Sequence, residues 1–289
     1  MVTSMFPSNA VPGLNVSALP TLEKTLVLTN FRAKKSLGQN FLLDMNITRR
    51  IARAAPHIDQ GTVLEIGPGP GGLTRALFVE GARHVIAIDP DMRAAGALGL
   101  LSPHLEEGRK LEFLNEDVLK LSLHTLGVNP RQVVANIPYN LTSPIVIQLL
   151  RHIDAFSCIT IMVQKEVAAR LMADTRTKDY GRLSIITQWC CEGRALFTLP
   201  PEAFTPAPKV SSTVIQLTPR KNRETVSFQA LEKLTHLLFQ QRRKMLRGTL
   251  RHLSEEDWNV CIDHNIQPTQ RPEELNVQKM CWLANFLDK

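Results

Sequence analysis

Residues 62–89 read TVLEIGPGPGGLTRALFVEGARHVIAID, and this stretch decides the fold of the chain. The apolar run Thr62–Ile66 predicts a buried strand, and a glycine-rich loop separates it from a helical pattern over 73–77. A second apolar run, His84–Ile88, ends in Asp89. Strand, glycine loop, helix, strand and acid together form a βαβ unit that binds a nucleotide at the carboxyl ends of parallel strands. The sequence therefore predicts an α/β fold.

The glycine loop between the two strands indicates which class of nucleotide is bound. Gly67, Gly69 and Gly72 match the G-x-G-x-x-G pattern of NAD and FAD enzymes, although this pattern alone is a weak indication. The two prolines inside the loop lack the N–H donors that a pyrophosphate would need, and Glu65 adds negative charge beside it. A cationic ligand without phosphate fits this loop better, and S-adenosylmethionine is such a ligand. Asp89 would then accept hydrogen bonds from both ribose hydroxyls.

Another apolar run leads into the sequence VVANIPYNLTSPI at residues 133–145. The pattern predicts a buried strand that ends at Asn136 and delivers polar groups to the edge of the sheet. The Asn136 amide and the carbonyl of Ile137, which precedes Pro138, could hold a planar amino group by hydrogen bonds. The ring of Tyr139 could then cover the face of the base. The same residues also fit a strand that is followed by an ordinary turn.

Two further residues could contact an adenine. Asp117 follows a predicted strand over 111–114, where its carboxylate could accept the exocyclic amino group of a cofactor adenine or could cap a helix. Phe204 lies in the proline-rich sequence PPEAFTPAPKV, between predicted strands at 195–199 and 211–217. A stiff loop that carries one aromatic ring can stack on an extruded base. The alternative is a connector whose phenylalanine faces the core.

Basic side chains are concentrated in two stretches. The chain of 289 residues has 34 Lys and Arg against 27 acids, and this net charge of +7 permits a polyanionic partner. The densest stretch, residues 240–252, contains no acid, whereas the basic residues nearer the start of the chain also fit a solvated face. The residues that we expect to bind phosphates are Arg32, Lys34, Lys35, Arg242, Arg243, Lys244, Arg247 and Arg251.

The cysteines and histidines argue against disulfides and a catalytic metal. The five cysteines form no C-x-x-C pair, so we expect free thiols in a reducing compartment. The eight histidines show neither an H-x-x-x-H nor an H-E-x-x-H pattern, so we expect no metal. No apolar run is long enough to span a membrane, and the first 20 residues carry no Lys or Arg. The expected location is the cytoplasm, without membrane association.

Composition divides the chain into three parts. Residues 1–30 include a Pro-, Ser- and Asn-rich beginning, and we expect a poorly ordered extension. Residues 31–220 carry the α/β pattern and the candidate site, so they are the predicted catalytic domain. After residue 220 the sequence becomes polar and helical, which predicts a helical C-terminal domain over 221–289 that binds nucleic acid.

With these motifs in place, the sequence resembles the small-subunit ribosomal RNA adenine N6-dimethyltransferase family. The resemblance covers residues 33–286 and includes the acid at Asp89. The other motifs that carry it are KKSLGQNFL, VLEIGPGPGGLT, NEDVL, NIPYNLTSPI, FTPAPKVSS and FQQRRKMLRGTL. The family implies a Rossmann-like, S-adenosylmethionine-dependent methyltransferase sheet with a small all-helical C-terminal domain. It also implies S-adenosylmethionine as the cofactor and no metal.

The resemblance assigns roles to particular residues. The family often has Glu where this chain has Asp89, and Leu where it has Ile137; both differences keep the chemistry. The implied cofactor contacts are Asn40, Leu42, Gly67, Asp89, Asp117 and Asn136. The implied catalytic positions are Asn136, Ile137, Pro138, Tyr139 and Phe204, with Tyr139 and Phe204 on the two faces of the target base.

The implied function is the dimethylation of two adjacent adenines in a hairpin loop of 16S rRNA, during ribosome biogenesis. The expected partner is rRNA within the small subunit or its assembly intermediate, and the expected state is a monomer. Three alternatives stay open. The first is a large-subunit rRNA adenine methyltransferase, which shares the cofactor and amino-group motifs. The second is a non-catalytic nucleic-acid-binding factor on the same fold, and the third, more distant, is an NAD oxidoreductase.

Overall fold

The computed structural model describes residues 14–15, 18–34 and 37–288. In chain order, the strands are β1 (Phe41–Leu42), β2 (Thr62–Ile66), β3 (His84–Ile88), β4 (Lys110–Leu114), β5 (Arg131–Asn136), β6 (Cys158–Gln164), β7 (Cys191–Leu199), β8 (Phe204–Thr205) and β9 (Ser212–Pro219). The helices are α1 (Leu22–Leu28), α2 (Met45–Arg53), α3 (Gly72–Val79), α4 (Arg93–Gly99), α5 (Thr142–Arg151), α6 (Lys165–Leu171), α7 (Arg182–Cys190), α8 (Phe228–Phe239), α9 (Leu246–Thr249), α10 (Glu255–Asp263) and α11 (Val277–Leu287).

Within the described residues, the main sheet has the strand order β4-β3-β2-β5-β6-β9-β7. The first five strands in this order, β4, β3, β2, β5 and β6, run parallel to one another, and β9 runs antiparallel to β6. Every residue of β2 is buried, as expected for a parallel strand with both faces covered. β2, α3 and β3 form the βαβ unit that the glycine-loop sequence predicts. The α/β prediction is therefore confirmed, and the order reverses beside β2, where such sheets bind ligands.

The described chain forms two compact units. The first comprises Met1–Gln148, Asp154–Lys165 and Ala195–Leu217, within the described residues, and holds most of the sheet. The second comprises Leu149–Ile153, Glu166–Arg194 and Thr218–Lys289, within the same limits. In this second unit α7, α8 and α11 pack together. The functional boundary at residue 220 stays a prediction, since the second unit also includes segments that precede it.

The N-terminal extension is partly ordered, which corrects the expectation of disorder for its described part. Helix α1 buries Leu22, which is 3% exposed. The guanidinium of Arg75, on α3, is itself buried and donates to the Pro20 carbonyl at 2.6 Å and to Thr25 Oγ1 at 2.8 Å. A buried guanidinium needs hydrogen-bond acceptors. The segment 20–25 supplies acceptors for Arg75 that α3 itself lacks. The remainder of the extension, 1–13 and 16–17, lies outside the described residues.

The Glu65 carboxyl has a different protonation state from the charged one that the sequence suggested. Its side chain is fully buried in β2, and burial raises its pKa to about 8. At neutral pH the carboxyl is therefore mostly protonated, and it does not line the cavity described below. Glu65 therefore adds no negative charge beside the ligand at neutral pH, contrary to the expectation from the sequence, because burial in the strand favours the neutral acid.

We expect Glu65→Gln to stabilise the protein at alkaline pH and to change little at acidic pH. The folded chain holds this proton up to about pH 8, whereas the unfolded chain releases it near the ordinary value of 4.5. The wild-type carboxyl therefore lowers stability as pH rises through this window, and the amide does not titrate. Thermal melts at about pH 5 and about pH 9 measure the difference. Glu256→Gln, on the exposed face of α10, is the control. An equal change at both pH values would contradict the assignment.

Candidate active site

A cavity of about 340 Å³ lies in the first unit, at the carboxyl ends of β2, β3 and β5. Its volume falls within the range of small-molecule sites. Chain segments that are distant in sequence meet here because the carboxyl ends of parallel strands share one edge of the sheet. The lining residues are 37–42, 66–70, 72–73, 88–90, 117–118, 136–141 and 145.

The glycine loop gives this cavity its close backbone approach. Gly67 has φ of 71°, a left-handed conformation that favours glycine, and its N–H donates to the Ile88 carbonyl at 2.9 Å. At Gly72, which begins α3, a Cβ atom would lie 2.8 Å from the Leu42 carbonyl oxygen. Glycine at this position therefore lets β1 lie against the start of α3. This packing fixes the backbone of Leu42, which is a predicted cofactor contact.

We expect Gly72→Ala to weaken binding of S-adenosylmethionine by about tenfold, because the added methyl group must displace the Leu42 carbonyl from the cavity wall. Calorimetric titration of the purified variant measures this affinity. Gly99→Ala is the matched control, since a Cβ there meets nothing within 4 Å. Equal affinity in the Gly72→Ala and Gly99→Ala proteins would show that the close contact does not shape the site.

Asp89 lies at the carboxyl end of β3 and is 6% exposed. Its Oδ1 accepts a hydrogen bond from the Asp91 N–H at 2.8 Å, and burial raises the pKa of the carboxyl. The side chain lines the cavity, so its carboxylate is available to a ligand there. A buried carboxylate with acceptor capacity left is suited to the hydroxyl pair of a ribose.

Three residues that the sequence did not single out support Asp89. The Arg93 guanidinium holds the pKa of the neighbouring Asp91 carboxyl at about 2. Gln39 donates to Asp91 Oδ2 at 3.2 Å, and Arg93 also donates to the Arg32 carbonyl at 2.8 Å. These bonds tie the segment before β1 to the end of β3. The local signal is the acid and base of the sequence DPDMR at 89–93, but the partner Gln39 is too distant in sequence to be inferred.

Asn136, the last residue of β5, has a fixed amide orientation. Its Nδ2 donates to the Asn40 carbonyl at 3.3 Å, which leaves Oδ1 as the atom that can accept a hydrogen bond from a ligand. Ile137 is 1% exposed, and its N–H donates to the Met162 carbonyl at 3.3 Å, so its backbone is also fixed. Both residues line the cavity, so Asn136 Oδ1 and the Ile137 carbonyl could accept the two hydrogens of an exocyclic amino group.

Tyr139 and Asp117 each make one contact that restricts the side chain. The Tyr139 hydroxyl forms a hydrogen bond of 2.7 Å with Ser212 Oγ, and burial raises its pKa, so the phenol stays neutral. Asp117 Oδ1 accepts from the Leu119 N–H at 3.0 Å and caps a short turn. The capping alternative for Asp117 is thus observed, while its second oxygen remains available to a ligand.

The structure brings most of the predicted site residues together. The cavity is lined by Asn40, Leu42, Gly67, Asp89, Asp117, Asn136, Ile137, Pro138 and Tyr139. Asn140 lines it as well, and its Oδ1 would lie 2.8 Å from a Cβ at Gly38. The sequence placed Asn140 next to the site residues, but its proximity to Gly38 depends on the fold. The individual roles of these residues stay predictions.

Phe204 is the exception. It is 3% exposed and belongs to the hydrophobic core of the first unit, and it does not line the cavity. β8 pairs with β1, so that Leu42 and Phe204 are register partners and the ring turns inward while Thr205 is exposed. The structure therefore corrects the expectation that Phe204 covers one face of the base. Phe204 instead packs beneath the strand that carries Leu42.

The side chains that we expect to bind phosphates differ in their exposure and in their protein partners. In the first unit Arg32 and Lys34 are exposed, whereas Lys35 lies outside the described residues. In the second unit Arg243 and Lys244 are exposed. The remaining three already have protein partners: Arg242 pairs with Glu273, Arg247 with Glu255, and Arg251 donates to the Gly248 carbonyl.

The described part of the chain has no helix that is long and apolar enough to cross a membrane. It also contains no group of three or more side chains placed to hold a metal ion.

Similarity to known proteins covers nearly the whole chain. The chain is 49% identical over 271 residues to the ribosomal RNA small subunit methyltransferase A of Rhodospirillum rubrum, which covers 93% of each protein. It is 44% identical to the protein of the same name from Rhizobium johnstonii, covering 94% of this chain and 99% of that protein.

Solved structures agree with the fold. A dimethyladenosine transferase from Plasmodium falciparum matches with a TM-score of 0.69 and 26% identity, covering 85% of this chain and 95% of that one. The 23S rRNA methyltransferase ErmE matches with a TM-score of 0.64 and 29% identity, covering 86% of this chain and 100% of that one. The expected methyltransferase α/β fold is therefore confirmed.

The family model for ribosomal RNA adenine dimethylases matches residues 30–289, which include every segment that lines the cavity. The chain belongs to the ribosomal RNA adenine dimethylase family.

Proposed function

We propose that the protein transfers methyl groups from S-adenosylmethionine to N6 of two adjacent adenines in a hairpin loop of 16S rRNA. It acts as a monomer in the cytoplasm, on the small subunit or its assembly intermediate, during ribosome biogenesis. The observation that carries this proposal is the Asn136 amide, whose Nδ2 donates to the Asn40 carbonyl at 3.3 Å, in a cavity that Ile137 and Asp89 also line.

The residues that line the cavity fit S-adenosylmethionine. The buried Asp89 carboxylate would accept the ribose hydroxyls, and the free oxygen of Asp117 would accept the adenine amino group. Asn40, Leu42 and Gly67 would contact the cofactor along the glycine loop and β1. When bound, S-adenosylmethionine supplies an activated methyl group on a positively charged sulfur.

The protein's own groups then prepare the target nitrogen. The lone pair of an adenine amino group is delocalised into the ring, so the nitrogen must become pyramidal to react. Asn136 Oδ1 and the Ile137 carbonyl would accept its two hydrogens and stabilise the positive charge that develops there. The Tyr139 ring, oriented by Ser212, would cover the base. No strong general base is required, because the proton becomes acidic once the nitrogen is alkylated.

Positioning supplies most of the remaining rate enhancement, since methyl transfer requires close alignment of the reacting atoms. The amino group of a paired adenine is hidden inside the helix, so the substrate adenines must be unpaired. Dimethylation also requires that the site admit the monomethylated product, which retains one hydrogen for an acceptor at Asn136 or Ile137.

The second candidate is methylation of large-subunit RNA. The structural similarity to the 23S rRNA methyltransferase ErmE favours this candidate. The relatives named small subunit methyltransferase A are more similar, at 44–49% identity, and support the 16S assignment. A non-catalytic role is disfavoured, because Gly67, Asp89 and Asn136 all line one cavity.

Mass spectrometry of ribosomal RNA from cells with and without the protein tests the substrate. We expect two adjacent N6,N6-dimethyladenosines in 16S rRNA, and we expect both to disappear when the protein is absent. The 23S rRNA from the same cells is the internal control. Loss of methylated adenines from 23S rRNA alone would overturn the small-subunit assignment in favour of the second candidate.

A further inference from the structure

The second unit contains a cavity of about 790 Å³ that lies entirely within that unit and plays no part in the chemistry described above. It is formed by the loop between α6 and α7, the end of α8 with the turn that follows it, and the segment before α11. Its lining residues are Arg176, Thr177, Lys178, Arg271, Glu273 and 239–244.

Arg242 lines this cavity and connects two of the segments that form it by hydrogen bonds. Its guanidinium donates to Glu273 Oε2 at 2.6 Å, to the Thr177 carbonyl at 2.6 Å and to the Lys178 carbonyl. The Arg176 N–H donates to the Glu273 carbonyl at 2.9 Å. Arg242 is therefore neutralised by Glu273, and it holds the loop 176–178 in place, so we assign it a positioning role.

Five other cations surround the opening. All are exposed, and no carboxylate pairs with any of them among the residues that the structure describes. They are Arg176, Lys178, Arg243, Lys244 and Arg271. Only Arg243 and Lys244 belong to the basic stretch that the sequence singled out. A group of unpaired cations around one cavity attracts a polyanion, and nucleic-acid phosphates are held in this way.

The cavity also has an aromatic wall. Phe239, the last residue of α8, is half-buried and is one of the residues that line the cavity. Its ring contacts Tyr180 edge-on, with ring centroids 6.3 Å apart, and it lies against Gly181, where a Cβ would be 3.8 Å from the ring. Tyr180 is itself fixed, because its hydroxyl donates to the Leu275 carbonyl at 2.8 Å. The Phe239 ring is thus packed against Tyr180 and Gly181.

We propose that this cavity binds an unpaired nucleotide of the RNA substrate, with its base stacked on Phe239 and the adjacent phosphates on the surrounding cations. Aromatic rings flanked by cations are typical of sites for single-stranded nucleic acids, because every base has a π face. A duplex would satisfy the cations but would keep its bases away from the ring. The proposal rests on RNA as the substrate and concerns recognition, which is separate from methyl transfer.

Binding of fluorescein-labelled hexauridylate to the full-length protein, followed by anisotropy, tests the stacking contact. Uridine lacks the adenine amino group, so the probe does not report on the methylation site. We expect Phe239→Leu to weaken binding by about tenfold with an unchanged salt slope, and Phe239→Tyr to restore it. Leu237→Ala, an exposed apolar side chain on the same helix, is the matched control.

The cations are tested by their salt dependence. We expect Arg243→Ala combined with Arg271→Ala to weaken hexauridylate binding and to reduce the slope of log K against log salt by about 1.4, since each cation contributes about 0.7 on a single strand. Lys233→Ala, an exposed cation on α8 outside the cavity, controls for general charge. Both arginine side chains are exposed, so this variant remains informative if Phe239→Leu proves unstable.

Two results would overturn the proposal: wild-type affinity for hexauridylate in a folded Phe239→Leu protein, or an unchanged salt slope in the double arginine variant. Failure of this proposal can be separated from failure of the proposed function. Asn136→Ala should bind hexauridylate normally while losing methyl transfer, whereas Phe239→Leu should keep its affinity for S-adenosylmethionine.

Discussion

Asn136→Ala should lower the rate of methyl transfer by about a thousandfold or more, with little loss of RNA binding. In the proposed mechanism the side chain supplies one of two acceptors for the target amino group, and its Nδ2 bond to the Asn40 carbonyl orients that amide. Alanine removes the acceptor and also the bond that ties β5 to the segment before β1. Incorporation of tritiated methyl groups into unmodified small-subunit RNA measures the rate.

Asn46→Ala is the matched control for this variant, because Asn46 is exposed on α2 and does not line the cavity. RNA affinity measured on the same preparations separates a defect in chemistry from a defect in binding. Turnover at the wild-type rate by a folded Asn136→Ala protein would refute the assignment of this residue as catalytic.

Asp89→Ala should weaken binding of S-adenosylmethionine by about a hundredfold, since it removes the charged acceptor that we propose for the two ribose hydroxyls. The effect should be large because the carboxylate is buried, and bulk water cannot readily replace it. Asp89→Glu should retain most of the affinity, because it keeps the carboxylate on a longer side chain. Calorimetric titration of the three proteins measures the difference.

The raised pKa of Asp89 adds a pH signature to this test. As pH falls, this carboxyl takes up its proton earlier than an ordinary aspartic acid, and binding should weaken over that range. Asp89→Asn should lose this pH dependence. Asp263→Ala, at an exposed position on α10, controls for the loss of an acid elsewhere. Undiminished affinity in Asp89→Ala would place the ribose at another residue.

The parts of the fold that were predictable follow local rules. The period of the apolar residues identified β2, β3 and β5, and the glycine loop identified the turn between β2 and α3. The assembly of the cavity was predictable as well, because the carboxyl ends of parallel strands meet at one edge. Asp89 and Asn136 were therefore expected at the same edge of the sheet once both strands were recognised, and the strands that carry them lie on either side of β2.

The parts that were not predictable depend on contacts between distant segments. Arg75 hydrogen-bonds to acceptors of the N-terminal segment that lie 50 and 55 positions earlier in the chain. The side of β8 that Phe204 faces is set by pairing with β1, because a strand of two residues has too short a pattern to show a buried face. Arg242 reads as one more cation in a basic run, and only the fold shows that Glu273 neutralises it.

Burial also changes chemistry that a sequence motif leaves undetermined. Glu65 is an acid in the motif, yet full burial in β2 raises its pKa to about 8. The resulting neutral side chain contributes to the interior of the sheet and not to the charge of the site. Such a shift in pKa depends on the atoms that pack around one carboxyl group, and no local pattern in the sequence indicates it.

We propose that this cavity methylates adenine N6 in small-subunit RNA through Asn136. The most direct test is nucleoside analysis of small-subunit RNA after incubation with the purified protein and S-adenosylmethionine carrying a labelled methyl group. We predict that the label appears in N6,N6-dimethyladenosine with the wild-type protein and is absent with Asn136→Ala. Label in any other nucleoside, or equal label with both proteins, would contradict the account.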